Sequence, residues 1–116
     1  MIFDKGSEIE IKGKKYLLCY PLKHVWAAER QLSDRNFLVL FSNAAQGIPP
    51  SMGDIYVIFK YALLGGNLKM EEDEAEELYL AALEEHPMIE LFQAAQQALE
   101  KSGVLGKRKK EQAAQA

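Results

Sequence analysis

The sequence contains one cysteine and two histidines, the side chains best suited to nucleophilic or metal chemistry. Cys19 and His24 lie near each other in the chain, but their spacing matches no nucleophile–base motif. Cys19 also falls within the alternating pattern of a predicted strand, which favours a packed small side chain over a nucleophile. With a single cysteine, the chain can form neither an intramolecular disulfide nor a thiolate-rich metal site.

His86 follows Glu84 and Glu85, an order that raises the question of a carboxylate metal site. The di-iron helix motif requires a glutamate three residues before the histidine, and Leu83 occupies that position. We instead predict that His86 ends a helix ahead of Pro87, where a cation is favoured near the terminal carbonyls.

Two charged runs are candidates for binding. The acidic run Glu71–Glu77 lacks the D-x-D-x-D-G spacing of a calcium loop, so a solvated helix start is favoured, with a docking surface as the alternative. The basic run Lys107–Lys110 is typical of a solvated tail. Its alternative interpretation is phosphate contact, which four charges on a mobile tail would make weak and salt-sensitive.

Other chemical signatures are missing from the sequence. Trp26 and the tyrosines recur at helical or strand spacing, which predicts core positions rather than a stacking platform. Gly65-Gly66 belongs to no phosphate-binding loop, and serine-hydrolase, Walker and zinc motifs are absent. We therefore predict that the protein is not an enzyme, and we assign no catalytic, cofactor-binding or metal-binding residue.

The bulk composition is that of an ordinary globular domain. The 116 residues are 48% apolar and 27% charged, and predict one domain over residues 1–102. A net charge of −3 argues against a dedicated nucleic-acid binder. The lone cysteine suits a reducing compartment such as the cytoplasm, and neither a signal peptide nor an apolar run of about 20 residues is visible.

The N-terminal part of the chain predicts a β-hairpin over residues 7–20. Ile9 and Ile11 alternate with charged residues, and Gly13 supplies the turn. A lone hairpin is only marginally stable, so its apolar face needs a partner within the fold. Its two edges are also available, in principle, for pairing with another chain.

The densest apolar stretch runs from Ser51 to Leu64 and predicts the central helix. Ser51 and Asp54 have the spacing of a helix cap, and we expect Gly65-Gly66 to end the helix in the left-handed conformation. The β-branched and aromatic residues of Ile55–Phe59 leave a buried strand as the rival interpretation. Length and caps favour the helix.

The remaining pattern predicts four more helices. Ser33-Asp34 breaks the first and is expected to cap the second, and Gly47 ends the second. From Gly103 onward we expect a flexible basic and polar tail over residues 103–116. The fold class predicted is α+β, mainly α, with an N-terminal hairpin packed on about five helices, at about 22–32, 35–46, 51–64, 71–86 and 87–102.

Several of these features occur in an order that carries a family resemblance. The hairpin reads E-I-x-I-x-G-K-K-Y-x-L from Glu8 to Leu18, and a helix with a glutamate near its end follows at Trp26–Leu32. Phe37, the apolar helix Asp54–Leu64 and the acidic start E-E-x-E-x-E-E-L come next. Over about residues 8–102, this order resembles the tail assembly chaperones of long-tailed bacteriophages and related prophages.

The resemblance implies a non-enzymatic role. Such chaperones bind the helical tape measure protein before the tail tube forms, and many have a longer form whose extension recruits the tail tube protein. It implies a cytoplasmic protein of the bacterial host that contacts neither membrane nor specific nucleic acid. Because one small protein covers only a short helical segment, we also expect self-association. The alternative is a small regulatory or adaptor protein with weak nucleic-acid contact through its basic tail.

Overall fold

A two-stranded antiparallel hairpin precedes five helices in the computed structural model, which describes residues 6–32 and 36–102. The architecture is α+β and mainly helical, as the sequence predicts. The tail predicted at 103–116 lies outside the described residues. In chain order the elements are β1 (Gly6–Ile11), β2 (Lys14–Cys19), α1 (Leu22–Gln31), α2 (Phe37–Ala45), α3 (Met52–Gly66), α4 (Glu72–Glu85) and α5 (Met88–Ser102).

The hairpin forms where the alternation predicts it. Lys12 and Gly13 turn the chain with φ angles of 52° and 80°, so a glycine suits the second position. Ile11 and Leu18 have no exposed surface, whereas Glu8 points to solvent. The apolar face of β1 packs mainly on α5, and β2 packs mainly on α3.

Helix α3 is the element on which the others pack. It contacts β2, α1, α4 and α5, and its Ile58, Phe59 and Leu63 are fully buried. Burying a side chain of this kind contributes roughly 1.5–3 kcal/mol relative to leaving it exposed. The Ser51 hydroxyl accepts from Asp54 N at 3.1 Å, so the predicted cap is confirmed and the rival strand is excluded. Among the described helices, α3 included, none is long and apolar enough to cross a membrane.

The predicted role of Gly65-Gly66 is wrong. Helix α3 continues through both residues, and neither has a positive φ. A Cβ atom at Gly65 would lie 2.2 Å from Cys19 O, and one at Gly66 would lie 2.1 Å from Leu17 O. The glycines are therefore needed because the end of α3 lies directly against the backbone of β2.

The start of α2 also differs from the prediction. Asn36, not Ser33-Asp34, is its N-cap, and the Asn36 side chain accepts from Leu38 N at 2.8 Å. The Glu29 carboxylate of α1 accepts from Phe37 N at 2.7 Å. A carboxylate at a helix N-terminus satisfies a free amide and is favoured by the helix dipole, so Glu29 joins α1 to α2.

Neighbouring helix ends occupy the outer edges of the hairpin. On β2, the Asn67 side-chain amide donates to Leu17 O at 2.9 Å, beside the two glycines. On β1, the Glu85 carboxylate accepts from Lys12 N at 2.8 Å, and the His86 ring bonds Glu10 O. The edge of β2 and the turn-proximal part of β1 are thus not free to pair with another chain.

Candidate functional site

Cys19 and His24 are both partly buried. Burial raises the pKa of the Cys19 thiol, which reduces the fraction in the nucleophilic thiolate form. Within residues 6–32 and 36–102, the buried Nδ1 of His24 has no hydrogen-bond partner. Burial, followed by the charge of Lys23, lowers the pKa of His24, so its ring is neutral at pH 7. Both residues act here as packed side chains.

His86 ends α4 directly before Pro87, as predicted, and its ring binds the hairpin. Its Nε2 lies 2.8 Å from Glu10 O, and its Nδ1 lies 3.3 Å from the Glu90 carboxylate. Next to it, Lys12 Nζ forms an ion pair with Glu84 at 2.5 Å. These contacts fasten the hairpin turn to the C-terminus of α4, so the residues considered for metal binding have a structural role.

The His86 contacts predict a specific dependence of stability on pH. Both ring nitrogens face acceptors, which favours the protonated ring. The pKa of His86 is therefore raised above its ordinary value of 6.5, first by the bond to Glu10 O and then by the carboxylates of Glu90 and Glu85. The folded state thus holds this proton more tightly than the unfolded state. We expect the His86 contribution to be complete below about pH 6.5 and to be lost as pH rises through the folded pKa.

Urea unfolding of the wild type and of His86→Gln across this range measures the effect. The wild type should lose stability above about pH 6.5, and the variant should show a smaller loss. His24 serves as the internal contrast: its lowered pKa destabilises the fold only as pH falls below about 6.5. Identical slopes for wild type and His86→Gln above that pH would contradict the assignment.

The acidic run forms an exposed helix start, as predicted. Glu71, Glu72, Asp73, Glu74, Glu76 and Glu77 are all exposed at the beginning of α4. In the part of the chain that the structure describes, no group of three or more His, Cys, Asp or Glu side chains is placed to hold a metal ion. The acidic run therefore contributes negative charge to the surface of α4.

An open groove of about 510 Å³ lies between α1, the C-terminal half of α3 and the α3–α4 connection. Its surface is mostly apolar, with Lys23 at the α1 side and two glutamates at the start of α4. We call it the apolar groove. It is lined by Lys23, His24, Ala27, Tyr61, Leu64, Leu68, Met70, Glu71 and Glu72.

The connection that borders the apolar groove is anchored at its start by Asn67 and closed by a turn. The Asn67 side chain donates to Leu17 O and to Leu63 O, each at 2.9 Å, and Met70 N donates to Asn67 O at 2.8 Å. This short turn leaves the Leu68 side chain 77% exposed. A single exposed leucine is common on protein surfaces, and Leu68 is of interest because it also lines the apolar groove.

The charges of the apolar groove are confined to its rim. Burial, and then the nearby Glu72, raise the pKa of Tyr61, so this side chain is neutral at pH 7, like that of His24. Lys23 stands on one side, and Glu71 and Glu72 stand on the other. The arrangement suits recognition of an apolar segment flanked by charges.

Sequence reasoning missed Lys60, a buried cation beside the groove. Its side chain is 7% exposed, and Nζ lies 3.4 Å from Glu72 Oε1 and 3.2 Å from Gln31 Oε1. The rings of Tyr56 and Tyr61 lie 5.3 and 5.1 Å from Nζ. The one signal in the sequence is a lysine inside the most apolar helix. Lys60 ties α1 and α4 to α3 and holds Glu72 at the groove rim.

Trp26 is not a core residue, contrary to the prediction. It is 51% exposed, as is Leu22 at 49%, whereas Val25 and Ala28 are buried. The sequence of α1 contains two overlapping stripes of apolar residues. The stripe with the smaller side chains, Val25 and Ala28, faces α3. Trp26 therefore adds apolar surface to the outside of α1.

The surfaces described above offer recognition chemistry. No family model matches the chain, and comparisons with curated proteins and with solved structures likewise found no match. What can be inferred about function therefore comes from the grooves, their charges and the order of the elements.

Proposed function

We propose that this protein is a tail assembly chaperone of a long-tailed phage or prophage. It would act in the cytoplasm of the bacterial host, without catalysis, by binding the tape measure protein during tail morphogenesis. The order of hairpin, helix glutamate, central apolar helix and acidic helix start supports this proposal, since it resembles that of the family. The apolar groove is the observation that carries it.

The apolar groove suits an amphipathic helix. A long helix with apolar stripes aggregates unless those stripes are covered, and a groove with apolar walls covers one by helix-in-groove packing. Ala27 and Leu68 offer apolar contact at opposite sides of the groove. A client helix would place basic side chains toward Glu71 and Glu72 and acidic ones toward Lys23, which sets its direction.

The size of the groove limits what one copy can do. A groove of about 510 Å³ accommodates a few side chains, not the length of a tape measure protein. Many copies would therefore bind along one client, and later be displaced as the tail tube protein assembles around it. The proposal thus includes self-association and, in a longer form of the chain, contact with the tail tube protein.

Co-expression with the tape measure protein of the same genome tests the function. The wild-type chain should increase the soluble fraction of the client and co-purify with it. Ala27→Glu places a charge in the groove wall and should weaken binding about tenfold or more, equivalent to about 1.4 kcal/mol. Ala45→Glu makes the same change on the exposed end of α2 and should bind like the wild type.

The result is informative only if both variants fold, which thermal unfolding by circular dichroism checks. A client whose solubility is unchanged by the wild-type chain would refute the chaperone proposal. If Ala27→Glu binds the client normally and Ala45→Glu binds it weakly, the chaperone function would stand, but the binding site would lie outside the apolar groove.

A further inference from the structure

A second groove, of about 390 Å³, carries an excess of positive charge. It lies between the hairpin, the α3–α4 connection and α4, with three lysines and one glutamate in its wall. Its exposed apolar contact is Leu68. We call it the basic groove. It is lined by Lys14, Lys15, Tyr16, Asn67, Leu68, Lys69, Met70 and Glu74.

The lysines of the basic groove are not neutralised within the described part of the chain. Each ion pair found there involves another cation, namely Lys12, Lys60 or His86. Lys14 Nζ instead lies 5.4 Å from the ring of Tyr16. Lys14, Lys15 and Lys69 are exposed, so their charges are available to an acidic partner.

Helix α4 presents a surface of the opposite charge. Ala75, Tyr79 and Ala82 are its buried face. Asp73 and Glu77, one turn apart, lie on the exposed side and make no ion pair within residues 6–32 and 36–102. Leu80 continues this side and is 55% exposed. We call Asp73, Glu77 and Leu80 the acidic face.

We infer that the basic groove of one copy binds the acidic face of α4 of a second copy. The basic groove combines an excess of unpaired positive charge with the exposed Leu68, and the acidic face combines two unpaired carboxylates with the exposed Leu80. Opposite surfaces on one chain make it complementary to itself, and such contacts steer and orient association. Strand pairing is less suited to self-association, because α3 covers the edge of β2 and the end of α4 covers the turn-proximal part of β1.

The inference deepens the self-association that the proposed function includes, and it does not depend on which client the apolar groove binds. It specifies that self-association is electrostatic and salt-sensitive. Raising the salt from about 0.1 M to about 1 M shortens the Debye length from about 10 Å to about 3 Å. Association of the wild type in sedimentation velocity should weaken at least about tenfold over this range.

A charge-exchange experiment identifies the two surfaces. Lys15→Glu with Lys69→Glu makes the groove acidic, and Asp73→Lys with Glu77→Lys makes the face basic. Each double variant alone should lose self-association by about tenfold or more, since like charges now oppose each other. An equimolar mixture should associate again, because the acidic groove of one variant meets the basic face of the other.

The control variant replaces two cations by glutamate at positions outside both surfaces. Arg30→Glu with Lys101→Glu alters exposed residues of α1 and α5, and should associate like the wild type. A wild type that stays monomeric at low salt overturns the inference. The inference is overturned in the same way if the monomeric protein instead binds a single-stranded DNA probe through the basic groove. Double variants that do not associate again on mixing overturn it as well.

Discussion

Replacing Gly66 by alanine is expected to destabilise the fold by about 3 kcal/mol or more. The added Cβ would lie 2.1 Å from Leu17 O and 2.6 Å from Leu17 C. Both are backbone atoms of β2, so no side-chain rotation can relieve the overlap, and α3 would have to move away from the hairpin. For a domain of about 100 residues, the melting temperature should fall by about 12 °C or more.

Gly53 provides a matched control in the same helix. A Cβ at this position meets no atom within 4 Å, so Gly53→Ala should be neutral or stabilise by about 0.5–1 kcal/mol. Gly65→Ala should resemble Gly66→Ala, since its Cβ would lie 2.2 Å from Cys19 O. If Gly66→Ala proved as stable as Gly53→Ala, the close packing of α3 on β2 would be wrong.

The glycine pair illustrates what a sequence predicts and what it leaves open. A glycine near a helix end suits both a left-handed residue and a close backbone contact, and only the position of β2 distinguishes these two requirements. Local signals were more informative. The alternation of β1 and the capping pair Ser51 and Asp54 each involve neighbouring residues, and both predictions are confirmed.

The candidate surfaces could not be predicted in the same way. The apolar groove joins Ala27, Leu64 and Leu68, which come from three segments of the chain. Its formation depends on how α1 crosses α3, which no local pattern encodes. The acidic face of α4 was visible as charge in the sequence, whereas the basic groove combines the hairpin with Lys69, more than forty residues away.

Lys60 shows a further limit of pattern reading. A lysine inside an apolar helix is usually placed on a solvated side, because burying an isolated charge is costly. Here Gln31 of α1 and Glu72 of α4 approach it, together with the rings of Tyr56 and Tyr61 of α3 itself. The two polar partners come from other helices, so no pattern within α3 reveals them. Binding partners of a buried charge are therefore a property of the tertiary structure.

Phe59→Ala should destabilise the protein by about 3–5 kcal/mol, as expected for removing a fully buried aromatic ring. Phe59 has no exposed surface, and its ring centroid lies 5.6 Å from that of Tyr79. The loss combines the transfer of the ring to water with the cavity left between α3 and α4. Equilibrium urea unfolding, with the midpoint and slope fitted separately, measures it.

A graded series separates stability from client binding in the same helix. Met52→Ala, at a side chain 70% exposed, should change stability by no more than about 0.5 kcal/mol. Phe59→Leu refills much of the cavity and should cost less than Phe59→Ala. Because Phe59 does not line the apolar groove, Phe59→Leu should bind a client like the wild type under conditions where it is folded. A loss below about 1 kcal/mol for Phe59→Ala would mean that α3 is not the centre of the core.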